Sequence, residues 1–142
     1  CDDVVLDTLY ANAVGVIGAT NTSCQKAVIA ALDDYAFMDE FEKAFDERRH
    51  LAYDIINSID NVSMDLPESG FLCWVDVSKL GTSDEIVDYL LKEANVSVNN
   101  GAFYGPGGEG HLRIVLGVFK DTKKVEDALL RIKAALLKYQ GK

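Results

Sequence analysis

Apolar residues recur at helical spacing in several stretches of this chain, and short apolar runs lie between those stretches. Met38, Phe41, Phe45, Ala52, Ile55, Ile56 and Ile59 stand three, four or seven residues apart, with charged residues between them. This predicts one long amphipathic helix that closes at Asn61. Upstream, residues 2–11 predict a short helix and residues 12–22, with two glycines, a linker. Thr22 or Ser23 is the expected cap of a helix running from about Gln25 to Asp33. Downstream, residues 62–64 predict a short strand, 67–70 a turn, and 71–77 (Phe-Leu-Cys-Trp-Val-Asp-Val) a buried strand of the aromatic and branched residues that suit a pleated surface. Thr82-Ser83-Asp84-Glu85 has the form of a capping box, in which Thr and Glu each satisfy a backbone N–H that the helix start leaves open. The helix it opens carries Ile86, Val87, Leu90, Leu91 and Ala94 on one stripe. Residues 96–98 predict a short strand, 102–110 a glycine-rich loop and 112–118 another strand. Asp121 then caps a last helix with Val125, Ala128, Leu129, Ile132, Ala135, Leu136 and Tyr139 inward. Helices interleaved with short strands, without internal repeats, predict an α/β two-layer sandwich: a small sheet covered by helices.

Composition narrows the classes of partner. With 49% hydrophobic and 26% charged residues, the chain has enough apolar surface for a core. Its 142 residues suit one domain, or a small domain with a piece of another. A net charge of −9 repels nucleic acid and anionic lipid and argues against both as partners. No run approaches the roughly 20 apolar residues of a membrane span. The start, Cys1-Asp2-Asp3, is acidic where a signal peptide is basic, and a first residue other than Met points to a fragment or a processed product. The three cysteines, Cys1, Cys24 and Cys73, have no metal-binding spacing, and Cys73 reads as a small buried hydrophobe. A cytoplasmic chain with reduced thiols is expected.

Candidate chemistry concentrates in residues 100–114. Gly105, Gly107 and Gly110 spell G-x-G-x-x-G, but a strand follows where a dinucleotide site needs a helix, and there is no Gly-Lys-Ser or Gly-Lys-Thr of a Walker loop. Both phosphate-binding assignments are therefore rejected. Arg113 matters more. Alternation sends Leu112, Ile114 and Leu116 to one face and Arg113, Val115 and Gly117 to the other. A charge in so apolar a strand is costly unless paired. It is explained by an ion pair, by exposure on an open sheet face, or by a carboxylate clamp that uses the planar fork of the guanidinium. Other residues have structural explanations: Trp74 as core, Arg48 and Arg49 as a solvated helix face with local ion pairs, and His111 at the surface. His50 and His111 lack the partners of a zinc site.

Taken in order, these segments resemble the C-terminal small domain of class I/II aminotransferases, which are pyridoxal-phosphate (PLP) enzymes of fold type I. Pro67-Glu-Ser-Gly70-Phe71 with the strand after it is similar to that family's P-x-G-x-F/Y segment. Residues 96–101 are similar to V-x-V-x-P-G, Tyr104-Gly105-Pro-Gly-Gly-Glu-Gly110 to F-G-x-x-G-x-G, and His111-Leu-Arg113-Ile to the arginine strand. Residues 25–32 and 40–49 are similar to the linker helices. The resemblance implies a small mixed or antiparallel sheet against helices. It implies residues 1–20 as the end of the cofactor domain and linker, and 21–142 as the small domain with interdomain helices. It implies Arg113 as the residue that grips the substrate α-carboxylate, with Tyr104 beside it at the mouth of the site. The substrates implied are an amino acid and a 2-oxo acid, the cofactor PLP, and the assembly a homodimer. The family's Schiff-base lysine segment, Ser-x-x-Lys, has no match here, so no catalytic residue is assigned to the chain and PLP binding by it alone is expected to be weak or absent. Two departures stand out: Asn100 replaces the usual proline, which predicts a less rigid turn, and one extra residue separates Pro67 from Gly70. The same fold also carries β-elimination, and a non-catalytic ligand-binding domain or a purely structural fragment are the remaining alternatives.

Overall fold

Four short strands cannot bury an apolar face alone, so the fold depends on what covers them. The computed structural model describes residues 2–16, 18 and 21–140. They divide into two compact units between Asp39 and Glu40. In the first, α1 (Asp3–Val16) and α2 (Thr22–Leu32) bury none of their residues. α1 runs into the stretch expected as a linker, because nothing from Asn12 to Val14 interrupts a helix and the Asn12 side chain donates to the Thr8 carbonyl at 2.8 Å. Of the remaining linker, Ile17, Ala19 and Thr20 lie outside the described residues, as does Cys1. The cap of α2 is Asn21, one residue ahead of the expected hydroxyls. Its Oδ1 accepts from the N–H groups of Ser23 and Cys24 at 2.9 and 3.2 Å.

In the second unit, β1 (Ser63–Met64), β2 (Leu72–Asp76), β3 (Asn99–Asn100) and β4 (His111–Val115) form one antiparallel sheet in the order β1-β2-β4-β3. β3 starts one residue after the expected 96–98 stretch, since only Asn99 and Asn100 come opposite β4, at Arg113 and Leu112. Cys73, Val75, Leu112 and Ile114 face a core that includes Ile56 of α3 (Ala36–Ile56), Ile86 and Leu90 of α4 (Ser83–Ala94), and Leu129, Ile132 and Leu136 of α5 (Thr122–Gln140). Each fully buried side chain of this size contributes about 1.5–3 kcal/mol. The capping box is present: Thr82 accepts from the Glu85 N–H at 3.3 Å, and the Glu85 carboxylate accepts from the Thr82 N–H at 3.1 Å. Its hydrogen bonds to Thr82 hold the Glu85 carboxyl below its usual pKa. Asp121 accepts from the Lys123 N–H at 2.9 Å at the head of α5.

Three expectations change. α3 ends at Ile56, and Asn61, with a φ of +61°, closes the turn beyond it. Trp74 is 39% exposed, because strand alternation turns Cys73 and Val75 inward and sends Trp74 to the other face. Arg48 is 4% exposed and points into the fold. The turn after β4 presents its carbonyls to α3, and Arg48 donates through Nη1 to Leu116 and Phe119 at 2.9 Å each, through Nη2 to Lys120 at 2.8 Å, and through Nε to the Thr122 hydroxyl at 3.1 Å. Arg49 has the expected local ion pair, with Asp46 at 2.7 Å, but its side chain is only 11% exposed and not on a solvated face.

Burial pushes the Cys73 thiol up to about 11, with the Arg49 charge acting weakly against it. Iodoacetamide is therefore expected to label exposed Cys24 quickly and Cys73 only as fast as the fold opens. Rapid labelling of Cys73 in buffer would show that this core is not closed. Arg48→Met keeps the stem and strands three carbonyls. It should lower stability by about 2–4 kcal/mol, read as a lower urea midpoint.

Candidate functional site

Only one face of the sheet is covered by the helices. On the other face the register sets Trp74 directly across from Arg113, with Asp76 across from His111. Asn99 flanks Arg113 from β3. Arg113 and His111 are half-buried here, whereas Leu112 and Ile114 beneath them are buried.

The loop that follows β3 brings in a sixth residue. It consists of two tight turns, Gly101–Tyr104 and Pro106–Gly108. Gly101 and Gly108 cross with their backbones in contact, so a Cβ at either position would overlap the carbonyl of the other. Asn100, expected to loosen this turn, ties it down. Its φ of −70° is one a proline would adopt, its Oδ1 accepts from the Ala102 N–H at 2.8 Å, and its Nδ2 donates to Asp84. The far end of the loop is held by the buried Ser83, whose hydroxyl accepts from the N–H groups of Gly110 and His111 at 2.8 and 3.1 Å. Glu109 accepts from the Ser83 N–H at 2.9 Å, which places a carboxylate at the electropositive start of α4. Both flanks of the loop are thus anchored on the first turn of α4.

So fixed, Tyr104 meets Arg113. Nη1 of Arg113 donates to the Tyr104 hydroxyl at 3.2 Å and to Asn99 Oδ1 at 3.1 Å, and the guanidinium carbon lies 5.5 Å from the centre of the Tyr104 ring. Trp74 meets Tyr104 edge-on at 5.8 Å and stacks on His111 at 5.4 Å. Hydrogen bonds from the Ser78 side chain and backbone hold the Asp76 carboxyl below its usual pKa. Among the described residues, no carboxylate lies within ion-pair distance of Arg113. The chain carries 23 acidic residues, and their abundance makes that isolation notable chemically: the guanidinium is held by neutral acceptors and keeps its charge for another partner. The structure thus brings together both residues singled out in the sequence, Arg113 and Tyr104. Sequence reasoning missed Asn99, Ser83 and the outward side of Trp74. The alternation around Cys73 and Val75 was the available signal for Trp74. Ser83 and Asn99 carried none, because their roles depend on which segments come together.

Comparison with known proteins places the chain. The profile of the family "Aminotransferase class I and II" matches residues 1–132. The chain is 33% identical over 108 residues to LL-diaminopimelate aminotransferase of Maridesulfovibrio salexigens, which covers 76% of this chain and 27% of the relative. It is 33% identical over 123 residues to the cystathionine beta-lyase PatB of Bacillus subtilis, covering 84% of this chain and 31% of the relative. A PLP-bound putative aminotransferase from Clostridium difficile 630 superposes with a TM-score of 0.78 at 28% identity, covering 91% of this chain and 34% of that one. The chain therefore spans between a quarter and a third of the length of the curated relatives quoted.

A PLP site needs a lysine amine that can form a Schiff base, which calls for desolvation or a cationic neighbour. The residues described here do not fit that need. None of the residues named on the open face is a lysine, and every described lysine except the half-buried Lys133 is exposed. Lys138 is made more basic by its hydrogen bond to Glu93 and by the charge of that carboxylate, the opposite of activation. Mixing the chain with PLP and reducing with borohydride is expected to give only slow, scattered labelling of surface lysines. Stoichiometric modification of a single lysine, mapped by peptide mass, would contradict this account.

Proposed function

The chain belongs to the family of class I and II aminotransferases, and on that premise we propose that it is the carboxylate-gripping part of a PLP-dependent enzyme that moves an amino group between an amino acid and a 2-oxo acid. The observation that carries the proposal is the Arg113 guanidinium, set on the open sheet face among neutral acceptors and aromatic rings with, among the described residues, no carboxylate paired to it. In this proposal residues 1–20 end a cofactor domain, residues 21–142 form the small domain, and the Schiff-base lysine comes from a part of the protein outside this sequence. The cofactor supplies an electron sink. Arg113 supplies position: a charge-assisted, two-point contact to the α-carboxylate fixes the amino acid in the plane of the fork, and such orientation can lower a barrier by several kcal/mol. Tyr104 and Trp74 wall the site, with Tyr104 taking part in substrate binding through its hold on Arg113. A homodimer is proposed on the resemblance.

A second activity has its own support. The relative named cystathionine beta-lyase matches this chain at the same 33% identity as the aminotransferase quoted, and over more of it. β-Elimination from a sulfur-containing amino acid needs the same grip on the carboxylate, so Arg113 serves either outcome. Release of ammonia and a 2-oxo acid without an amino acceptor distinguishes it from transamination.

The proposal is tested in the protein that joins this segment to the lysine-bearing portion. A charge-assisted hydrogen bond contributes about 1.5–3 kcal/mol. Since about 1.4 kcal/mol is a factor of ten, Arg113→Ala should lower kcat/KM for amino acids at least tenfold. Arg113→Lys, which keeps the charge and loses the fork, should restore part of it. Amines without a carboxylate should lose little activity, and the absorption spectrum of the bound cofactor should not change. An equal loss with amines and amino acids would instead make Arg113 a structural residue.

A further inference from the structure

A guanidinium has five N–H groups, and those already engaged decide which remain for a ligand. Nη1 of Arg113 carries two hydrogens and has two acceptors, Asn99 Oδ1 at 3.1 Å and the Tyr104 hydroxyl at 3.2 Å. Among the described residues, no acceptor is hydrogen-bonded to Nε or Nη2. Both acceptors are themselves held. Asn99 is the register partner of Arg113 across β3 and β4. The Tyr104 ring lies against the guanidinium on one side and stands edge-on to Trp74, at an interplanar angle of 83°, on another. Trp74 is in turn the β2 register partner of Arg113 and is stacked on His111.

A carboxylate can meet a guanidinium end-on, through Nη1 and Nη2, or side-on, through Nη2 and Nε, two parallel N–H···O bonds in either case. End-on binding would take Nη1 from one of its two acceptors. Side-on binding displaces neither. We infer that Asn99 and Tyr104 are positioning residues that occupy Nη1 and direct the carboxylate to the Nε–Nη2 edge. The inference rests on Arg113 being a carboxylate clamp and adds which edge of the fork the substrate takes and which residues choose it. Both acceptors are neutral, and this is essential: an aspartate at position 99 would offer a permanent internal carboxylate in competition with the substrate.

The test uses the 142-residue chain itself, labelled with ¹⁵N in its arginine side chains and titrated with sodium propionate, a carboxylate without an amine. The Arg113 Nε–H resonance is assigned by its loss in Arg113→Lys. Propionate should shift that resonance saturably. Tyr104→Phe, which keeps the ring and removes one acceptor, should weaken binding about fivefold or more, the effect of losing one hydrogen bond. Asn99→Asp should weaken it tenfold or more by direct competition. A response at the Nη groups with Nε–H unmoved means end-on binding and overturns the positioning inference while the clamp stands. No response at any Arg113 resonance removes the clamp itself. Wild-type affinity in both variants also overturns the positioning role. If Asn99→Asp fails to fold, the wild-type titration and Tyr104→Phe decide.

Discussion

The open-face site depends on the first turn of α4. A helix start leaves backbone N–H groups without partners, and here the surrounding residues turn that deficit into an anchor. Thr82 and Glu85 close the turn upon itself, Glu109 accepts from the Ser83 N–H, and the Ser83 hydroxyl accepts from Gly110 and His111. Asp84 takes the Asn100 side chain. Both ends of the glycine-rich loop therefore meet at one helix terminus, and the crossing of Gly101 with Gly108 fixes the path between them. That anchor sets the path of the loop, and the contacts of Tyr104 with Arg113 and Trp74 complete its placement.

Charge is managed in two contrasting ways. Arg48 is buried and spends its donors on three carbonyls and a hydroxyl, which ties α3 to the turn after β4. Arg113 is half-buried and, among the described residues, has acceptors at Nη1 alone. Among the described residues neither pairs with a carboxylate, but for different reasons. Arg48 is close to fully used by three carbonyls of the turn after β4 and the Thr122 hydroxyl, so its role is cohesion. Arg113 is left with an unused edge on an accessible face, which is the arrangement expected of a group that waits for an anionic ligand.

The fit with the aminotransferase family and the misfit with its cofactor come from the same geometry. In the proposed function, a sheet face that carries Arg113 and, among the residues named on it, no lysine serves to bind and orient a carboxylate. The covalent step at Cα is assigned in that proposal to the lysine-bearing portion. A division of labour between gripping and reacting portions is what the proposed function requires of a segment spanning 27% and 31% of the relatives quoted.

Much of this was legible from local pattern. Period-2 alternation assigned Leu112 and Ile114 inward and Arg113 outward, because a strand's side chains must alternate. The Thr82–Glu85 spacing assigned the start of α4, because capping is satisfied within one turn. Spacing also assigned the buried stripe of α5. Tertiary structure decided the rest. Arg48 looked solvated among Asp46, Glu47 and Arg49, and only the turn at residues 116–120 made it a buried donor. Asn100 looked like a weakened turn until Asp84, 16 residues earlier, came within reach. Trp74 and Asn99 became neighbours of Arg113 through strand pairing with residues far away in sequence. A sequence read locally reports the conformational preference of each segment. The partners of its polar atoms are set by long-range packing, and for Arg113 those partners determine what it is free to bind.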